Sequence, residues 1–70
     1  MGAPKDPITG LTPQQEHFAS LIALEGLNQS DAYKQSYDAA NSLLSTVTEN
    51  ASRLAANSNV AARIHELRAS

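Results

Sequence analysis

Residues 12–26, TPQQEHFASLIALEG, carry the signals for both ends of one helix. Thr12 suits the N-cap, Pro13 suits the first helical position, and Gln15 stands where the partner of a capping box belongs. Four residues recur at three- and four-residue steps: Phe18, Leu21, Ile22 and Glu25. The first three are large and apolar, which predicts one buried face. Gly26 suits the left-handed residue that ends a helix. The stretch therefore predicts a first helix ending at about residue 25.

The length and composition of the chain predict one small soluble domain. It has 70 residues, of which 41% are hydrophobic and 17% charged, too apolar a balance for a disordered chain. The absence of cysteine excludes disulfides, thiolate zinc sites and cysteine nucleophiles. No apolar run is long enough to span a membrane or to act as a secretory signal, so we expect a cytoplasmic protein without a membrane partner.

The domain is expected to begin after a short arm. Residues 1–11 contain two prolines and two glycines, which predicts a flexible N-terminal arm, and residues 12–70 then form the folded part. β-branched residues are few in that part and do not alternate with polar ones. The pattern favours an all-α fold of four short helices.

Capping residues and apolar spacing predict the second helix and the turn after it. Asn28 or Ser30 can cap this helix, and Asp31 favours its positive end. Its packing face combines small residues with aromatic rings: Ala32, Tyr33, Ser36 and Tyr37. The small, polar stretch 38–42 is the expected turn.

The third and fourth helices are predicted from stripes of apolar residues. The third runs from about Leu43 to Asn57, with a buried stripe of Leu44, Val47, Ala51 and Leu54. Its opposite face has no large apolar residue and is expected to be exposed: Ser42, Ser45, Thr46, Glu49, Ser52, Arg53 and Ala56. The fourth helix, about Asn59 to Ala69, is expected to have Ser58 as its cap. No stop signal closes it, so we expect the chain to be a fragment of a longer protein.

The residues offer little for catalysis. The chain has two histidines, His17 and His65, no glycine-rich phosphate loop, and no carboxylates spaced as a pair on one face. We therefore expect a non-catalytic protein that holds no metal and needs no cofactor.

The second and third helices, joined by a compact polar turn, fit a helix-turn-helix arrangement, in which the later helix enters the DNA major groove. Small polar side chains let a helix backbone approach base edges and phosphates. The expected DNA contacts are Lys5, Lys34, Gln35, Ser42, Ser45, Thr46, Glu49 and Arg53. Arg53 has a second interpretation, as a brace for the fourth helix. The net charge of −2 argues against strong binding to nucleic acid.

Four phrases in order resemble the DNA-binding domain of bacteriophage terminase small subunits. The stretch 11–18, LTPQQEHF, is similar to the Leu-Thr-Pro-x-Gln-x-x-Phe that starts the first helix of that family. The stretch 26–37 looks like its Gly-x-Asn segment, alanine-containing helix and following tyrosine. The stretch 52–60 resembles its Ser-Arg-Leu-Leu-x-Asn-Pro-x-Val, with Ser58 in place of proline, and Ile64, Leu67 and Arg68 match the start of its last helix.

The resemblance implies a function in viral genome packaging. It implies a helix-turn-helix domain that binds double-stranded packaging DNA in the host cytoplasm. It also implies self-association into an oligomeric ring through a downstream segment, and contact with a terminase large subunit that carries the ATPase and nuclease. Two alternatives stay open: a small helical protein-interaction module, and the DNA-binding domain of a transcription regulator.

Overall fold

A computed structural model describes residues 10–39 and 41–69. Within these ranges the protein is all-α, with no strand. The helices are α1 (Pro13–Glu25), α2 (Gln29–Ser36), α3 (Leu44–Ala56) and α4 (Ser58–Ala69). The prediction of four short helices is confirmed. Residues 37–43 join α2 to α3, which is longer than the turn of about 3–4 residues in a helix-turn-helix motif.

Helix α1 begins and ends at the predicted residues. The Gln15 backbone N–H donates to Thr12 Oγ1 at 3.2 Å, and the Thr12 backbone N–H donates to Gln15 Oε1 at 3.0 Å. Gly26 ends the helix with φ of 71°, in the left-handed region where a side chain is strained. Local signals therefore determine both ends of α1.

Asparagine side chains cap α2 and α4. The Asp31 backbone N–H donates to Asn28 Oδ1 at 2.8 Å, so Asn28 rather than Ser30 caps α2. The prediction that Ser58 caps the fourth helix is wrong, because Ser58 is already its first residue. Asn57 Oδ1 accepts instead from the backbone N–H groups of Asn59 at 2.9 Å and Val60 at 3.3 Å. One asparagine thus ends α3 and starts α4.

Helix α1 is central to the core and packs against both α2 and α4. Phe18 is fully buried, and Leu11 is only 1% exposed. Assigning Leu11 to the flexible arm was therefore wrong: its apolar side chain anchors the chain just before Thr12. Residues 1–9 of the predicted arm, including Lys5, lie outside the described residues.

Helix α3 covers the core with one face only. Val47 and Ala51 are buried as predicted, and Leu54 is partly buried. The prediction that Leu44 is buried is wrong, because it is 66% exposed. Leu44 is the first residue of α3 and lines an open groove, which leaves its side chain accessible to solvent.

Arg63 braces the first and last helices. Its Nε donates to both carboxylate oxygens of Glu16, at 2.9 and 3.0 Å, and both side chains are partly buried. Bracing of the fourth helix by Arg53 is not observed: the ion pair of Arg53 is with Glu49, inside α3.

Candidate nucleic-acid interface

The polar face of α3 is open to solvent, as predicted. Every residue assigned to it from the sequence is exposed: Ser42, Ser45, Thr46, Glu49, Ser52, Arg53 and Ala56. Ser42 precedes the helix, and the others project from the side opposite Val47 and Ala51. Within residues 10–39 and 41–69, no element lies over this face, so a ligand of suitable shape can approach the helix directly.

The charges on this face form one ion pair. Arg53 Nη2 lies 2.7 Å from Glu49 Oε1, with the two side chains 75% and 63% exposed. Glu49 and Arg53 are the only charged residues of α3, so the helix is electrically balanced. An exposed pair of this spacing contributes only about 0.3–0.5 kcal/mol. A phosphate can therefore compete with Glu49 for the arginine at small cost.

A pair of tyrosines lies where α2 meets α3. The rings of Tyr33 and Tyr37 stack with centroids 4.8 Å apart. Asn50 Nδ2 donates to the Tyr33 hydroxyl at 3.3 Å, which joins the two helices. These residues line a shallow groove that also contains Arg53. The sequence pattern predicts packing for the tyrosines and gives no sign of Asn50, because 17 residues separate it from Tyr33 and no local pattern links the two.

The environment of Tyr37 raises its pKa above the ordinary value of 10.0. Burial is the main cause, because it disfavours the charged phenolate, and the nearby Tyr33 adds to the shift. A hydrogen bond with the Thr12 side chain opposes both effects. Tyr37 therefore stays neutral at physiological pH.

The two predicted contact residues on α2 lie apart from the α3 residues. Lys34 is half-buried and Gln35 is exposed. Both line a groove with His17, Asp31 and Asp38, to which none of the predicted α3 residues contributes. The structure thus divides the predicted contacts into the α3 face and a separate α2 edge. Lys5 lies outside the described residues.

Lys34 also lines a second groove, and there it shares the lining with Arg68 of α4. Arg68 was not among the predicted contacts. Helix α4, which carries Arg68, begins more than 20 residues after Lys34. The two cations therefore share a groove only because α2 and α4 come together in the fold.

The potential metal ligands of the described residues are dispersed. The described part of the chain contains no group of three potential metal ligands among His, Cys, Asp and Glu. His17 and His65 are both exposed. Each helix in these ranges is too short or too polar to cross a bilayer.

Comparison of the chain with protein-family models, with curated proteins and with solved structures found no match.

Proposed function

We propose that this chain is a non-catalytic DNA-recognition domain of the terminase small subunit kind, which binds double-stranded DNA at the start of viral genome packaging. The uncovered polar face of α3 is the observation that carries the proposal. The sequence phrases described above supply the link to packaging.

The chemistry of the α3 face suits a DNA groove. Ser45, Thr46 and Ser52 are short hydrogen-bonding residues that leave the helix backbone free to approach base edges and phosphates. Arg53 supplies a cation for phosphate or for the O6 and N7 acceptors of guanine. In this proposal α3 occupies the major groove, and the α2 edge faces the DNA backbone.

The small number of cations predicts weak binding by one copy. Two or three phosphate contacts give a salt slope of about −2 to −3, from about 0.9 per contact. The dissociation constant is then expected at or above the order of 10⁻⁴ M at physiological salt. Assembly of several copies into a ring makes later contacts intramolecular and raises avidity by about 10²–10⁴-fold. A domain with little charge therefore suffices if it is multiplied.

The ring, the terminase large subunit as partner and the host cytoplasm as location belong to the same proposal. They rest on the resemblance of residues 11–68 to the family. In this scheme the domain places the DNA, and the large subunit supplies the ATPase and nuclease chemistry.

A salt titration of DNA binding tests the proposal. Fluorescence anisotropy of a labelled 20-base-pair duplex would be followed from about 20 to 200 mM salt, a range over which screening increases strongly. We expect binding whose affinity falls with a slope of about −2 to −3. Arg53→Gln should lower the slope by about 0.9, whereas the charge-preserving Arg53→Lys should retain it. Absence of salt-sensitive binding even at about 20 mM would overturn the proposal.

A helical protein-interaction module is the second candidate. Leu43 and Leu44 are adjacent large apolar residues with exposures of 76% and 66%, and exposed apolar patches mark protein contacts. Without salt-sensitive DNA binding, this surface becomes the better candidate.

A further inference from the structure

The cations of the described chain differ in how they are neutralised. Arg53 pairs with Glu49, and Arg63 pairs with Glu16 and, at 3.6 Å, with Glu66. Neither Lys34 nor Arg68 forms an ion pair within residues 10–39 and 41–69. Two of the four described cations thus keep their charge available for a ligand.

Both of these cations line the same groove. It is an open groove of about 670 Å³ between the start of α2, the first residue of α3 and the end of α4. Its lining also includes three polar residues, Asn28, Gln29 and Ser30, and three apolar residues, Ile22, Leu27 and Leu44. We call it the α2–α4 groove.

One carboxylate shares the α2–α4 groove, and it is already engaged. Asp31 Oδ2 accepts from Asn28 Nδ2 at 3.2 Å, and the Asp31 backbone N–H donates to Asn28 Oδ1. Two cations against one carboxylate leave a net charge of +1 in a chain whose overall charge is −2. The groove is therefore positive where the molecule as a whole is negative.

We propose that the α2–α4 groove binds a phosphate of the DNA backbone, an inference that rests on the proposed function. Lys34 and Arg68 supply the charge, and Asn28, Gln29 and Ser30 supply hydrogen-bonding groups beside it. The apolar residues of the lining, which include Leu44, suit the deoxyribose that follows each phosphate.

The position of the groove relative to α3 supports a DNA phosphate over a free one. Leu44 is the first residue of α3 and lines the groove. A helix lying in the major groove has a sugar–phosphate strand on each side. Leu44 lies on the other side of α3 from Glu49, so the groove flanks the helix; in this proposal the strand beside the first turn of α3 crosses the groove while the α3 face contacts the bases.

The expected effect of losing one contact follows from counterion release. Each phosphate contact contributes about 0.9 to the salt slope. Between 1 M and about 20 mM salt, a fiftyfold dilution, that slope amounts to about 30-fold in affinity. Lys34→Gln and Arg68→Gln should each weaken DNA binding about 30-fold at about 20 mM salt. Each should also reduce the magnitude of the salt slope by about 0.9.

Charge-preserving variants control for packing. Lys34→Arg and Arg68→Lys keep the cation and should bind the labelled duplex within about threefold of the wild-type chain. Lys34 is half-buried, Arg68 is exposed, and neither forms an ion pair in the described residues. Circular dichroism should therefore give folded chains for all four variants, with stability lowered by no more than about 1 kcal/mol in the two glutamine variants, which lose a cation from the last turn of a helix. A parallel titration with inorganic phosphate, followed through the amide signals of Gln29 and Ser30, separates a free anion from a DNA strand.

The outcomes distinguish the inference from the function on which it rests. If the wild-type chain binds no DNA, the proposed function fails. If it binds, but both glutamine variants match it in affinity and slope, the inference is overturned and the function stands. Saturation by inorganic phosphate at millimolar concentration, with no effect of either glutamine variant on DNA binding, also overturns the inference. Loss of DNA affinity in both glutamine variants and its retention in both charge-preserving variants supports it.

Discussion

Replacing Glu49 by glutamine should make the domain bind DNA more tightly. The carboxylate lies 2.7 Å from the Arg53 guanidinium on the open face of α3, and both side chains are more than half exposed. In the proposed complex Glu49 weakens DNA binding in two ways: it pairs with Arg53, and it places a negative charge near the phosphates. Glu49→Gln removes both effects while keeping nearly the same shape.

The size of the gain is worked from the exposed Glu49–Arg53 pair and from one DNA phosphate placed about 5 Å from the Glu49 carboxylate. Releasing Arg53 from an exposed pair of this spacing is worth about 0.4 kcal/mol. Two like charges about 5 Å apart in water repel by about 0.8 kcal/mol. Their sum, about 1.2 kcal/mol, corresponds to binding that is tighter by about 5–10-fold. Fold stability should fall by no more than about 0.5 kcal/mol, since the pair is exposed.

Anisotropy titrations at about 0.1 M salt provide the assay, because the Debye length there is about 10 Å and distant charges are screened. Glu25→Gln is the matched control: it makes the same change in net charge at the exposed last residue of α1. We expect Glu25→Gln to bind within about twofold of the wild-type chain. The reasoning is refuted if Glu49→Gln gains nothing, or if Glu25→Gln gains as much, which would reduce the effect to net charge.

Four further perturbations test other parts of the account. Phe18→Ala should unfold the domain, because truncating a fully buried phenylalanine costs about 3–5 kcal/mol, which is most of the stability of so small a fold; a wild-type melting curve would contradict the core described here. Arg53→Ala should leave the melting temperature within about 2 °C and weaken DNA binding, while collapse of the fold would show a bracing role. A double-mutant cycle on Glu16 and Arg63 should give a coupling of about 1–2 kcal/mol, and a value near zero would show that their two short contacts do not hold α1 to α4. Burial raises the folded-state pKa of Tyr37 above 10.0, so the contribution of this residue to stability is present below pH 10 and is lost as the pH rises through the folded-state pKa. An NMR titration of the Tyr37 Cζ signal measures this pKa, and a value at or below 10.0 would contradict the burial described.

Local signals made much of the fold predictable. The ends of α1 follow from Thr12, Gln15 and Gly26, whose effects act within a few residues along the chain. The exposure of the α3 face followed from helical periodicity alone, because apolar residues occupy only one side. In both cases the determining interactions are close in sequence.

Features that depend on packing between distant segments were not predictable in this way. Leu11 looks like part of a polar arm until the packed core shows where its side chain goes. Leu44 fits the apolar stripe of α3 but lines an open groove between α2 and α4 that leaves it exposed. The Asn50–Tyr33 hydrogen bond and the groove shared by Lys34 and Arg68 join residues from different helices. Neither helical periodicity nor capping residues indicate contacts between residues of different helices.

The central claim is that the exposed face of α3 receives duplex DNA, and NMR tests it most directly. A short duplex would be added to the isotope-labelled chain, and the amide signals of residues 10–39 and 41–69 would be followed. The account predicts the largest shifts at Ser45, Thr46, Glu49, Ser52 and Arg53, with smaller ones along the α2–α4 groove. The account is contradicted if the signals of these five amides stay unchanged at the highest DNA concentration, whether the signals of other residues shift or no signal shifts at all.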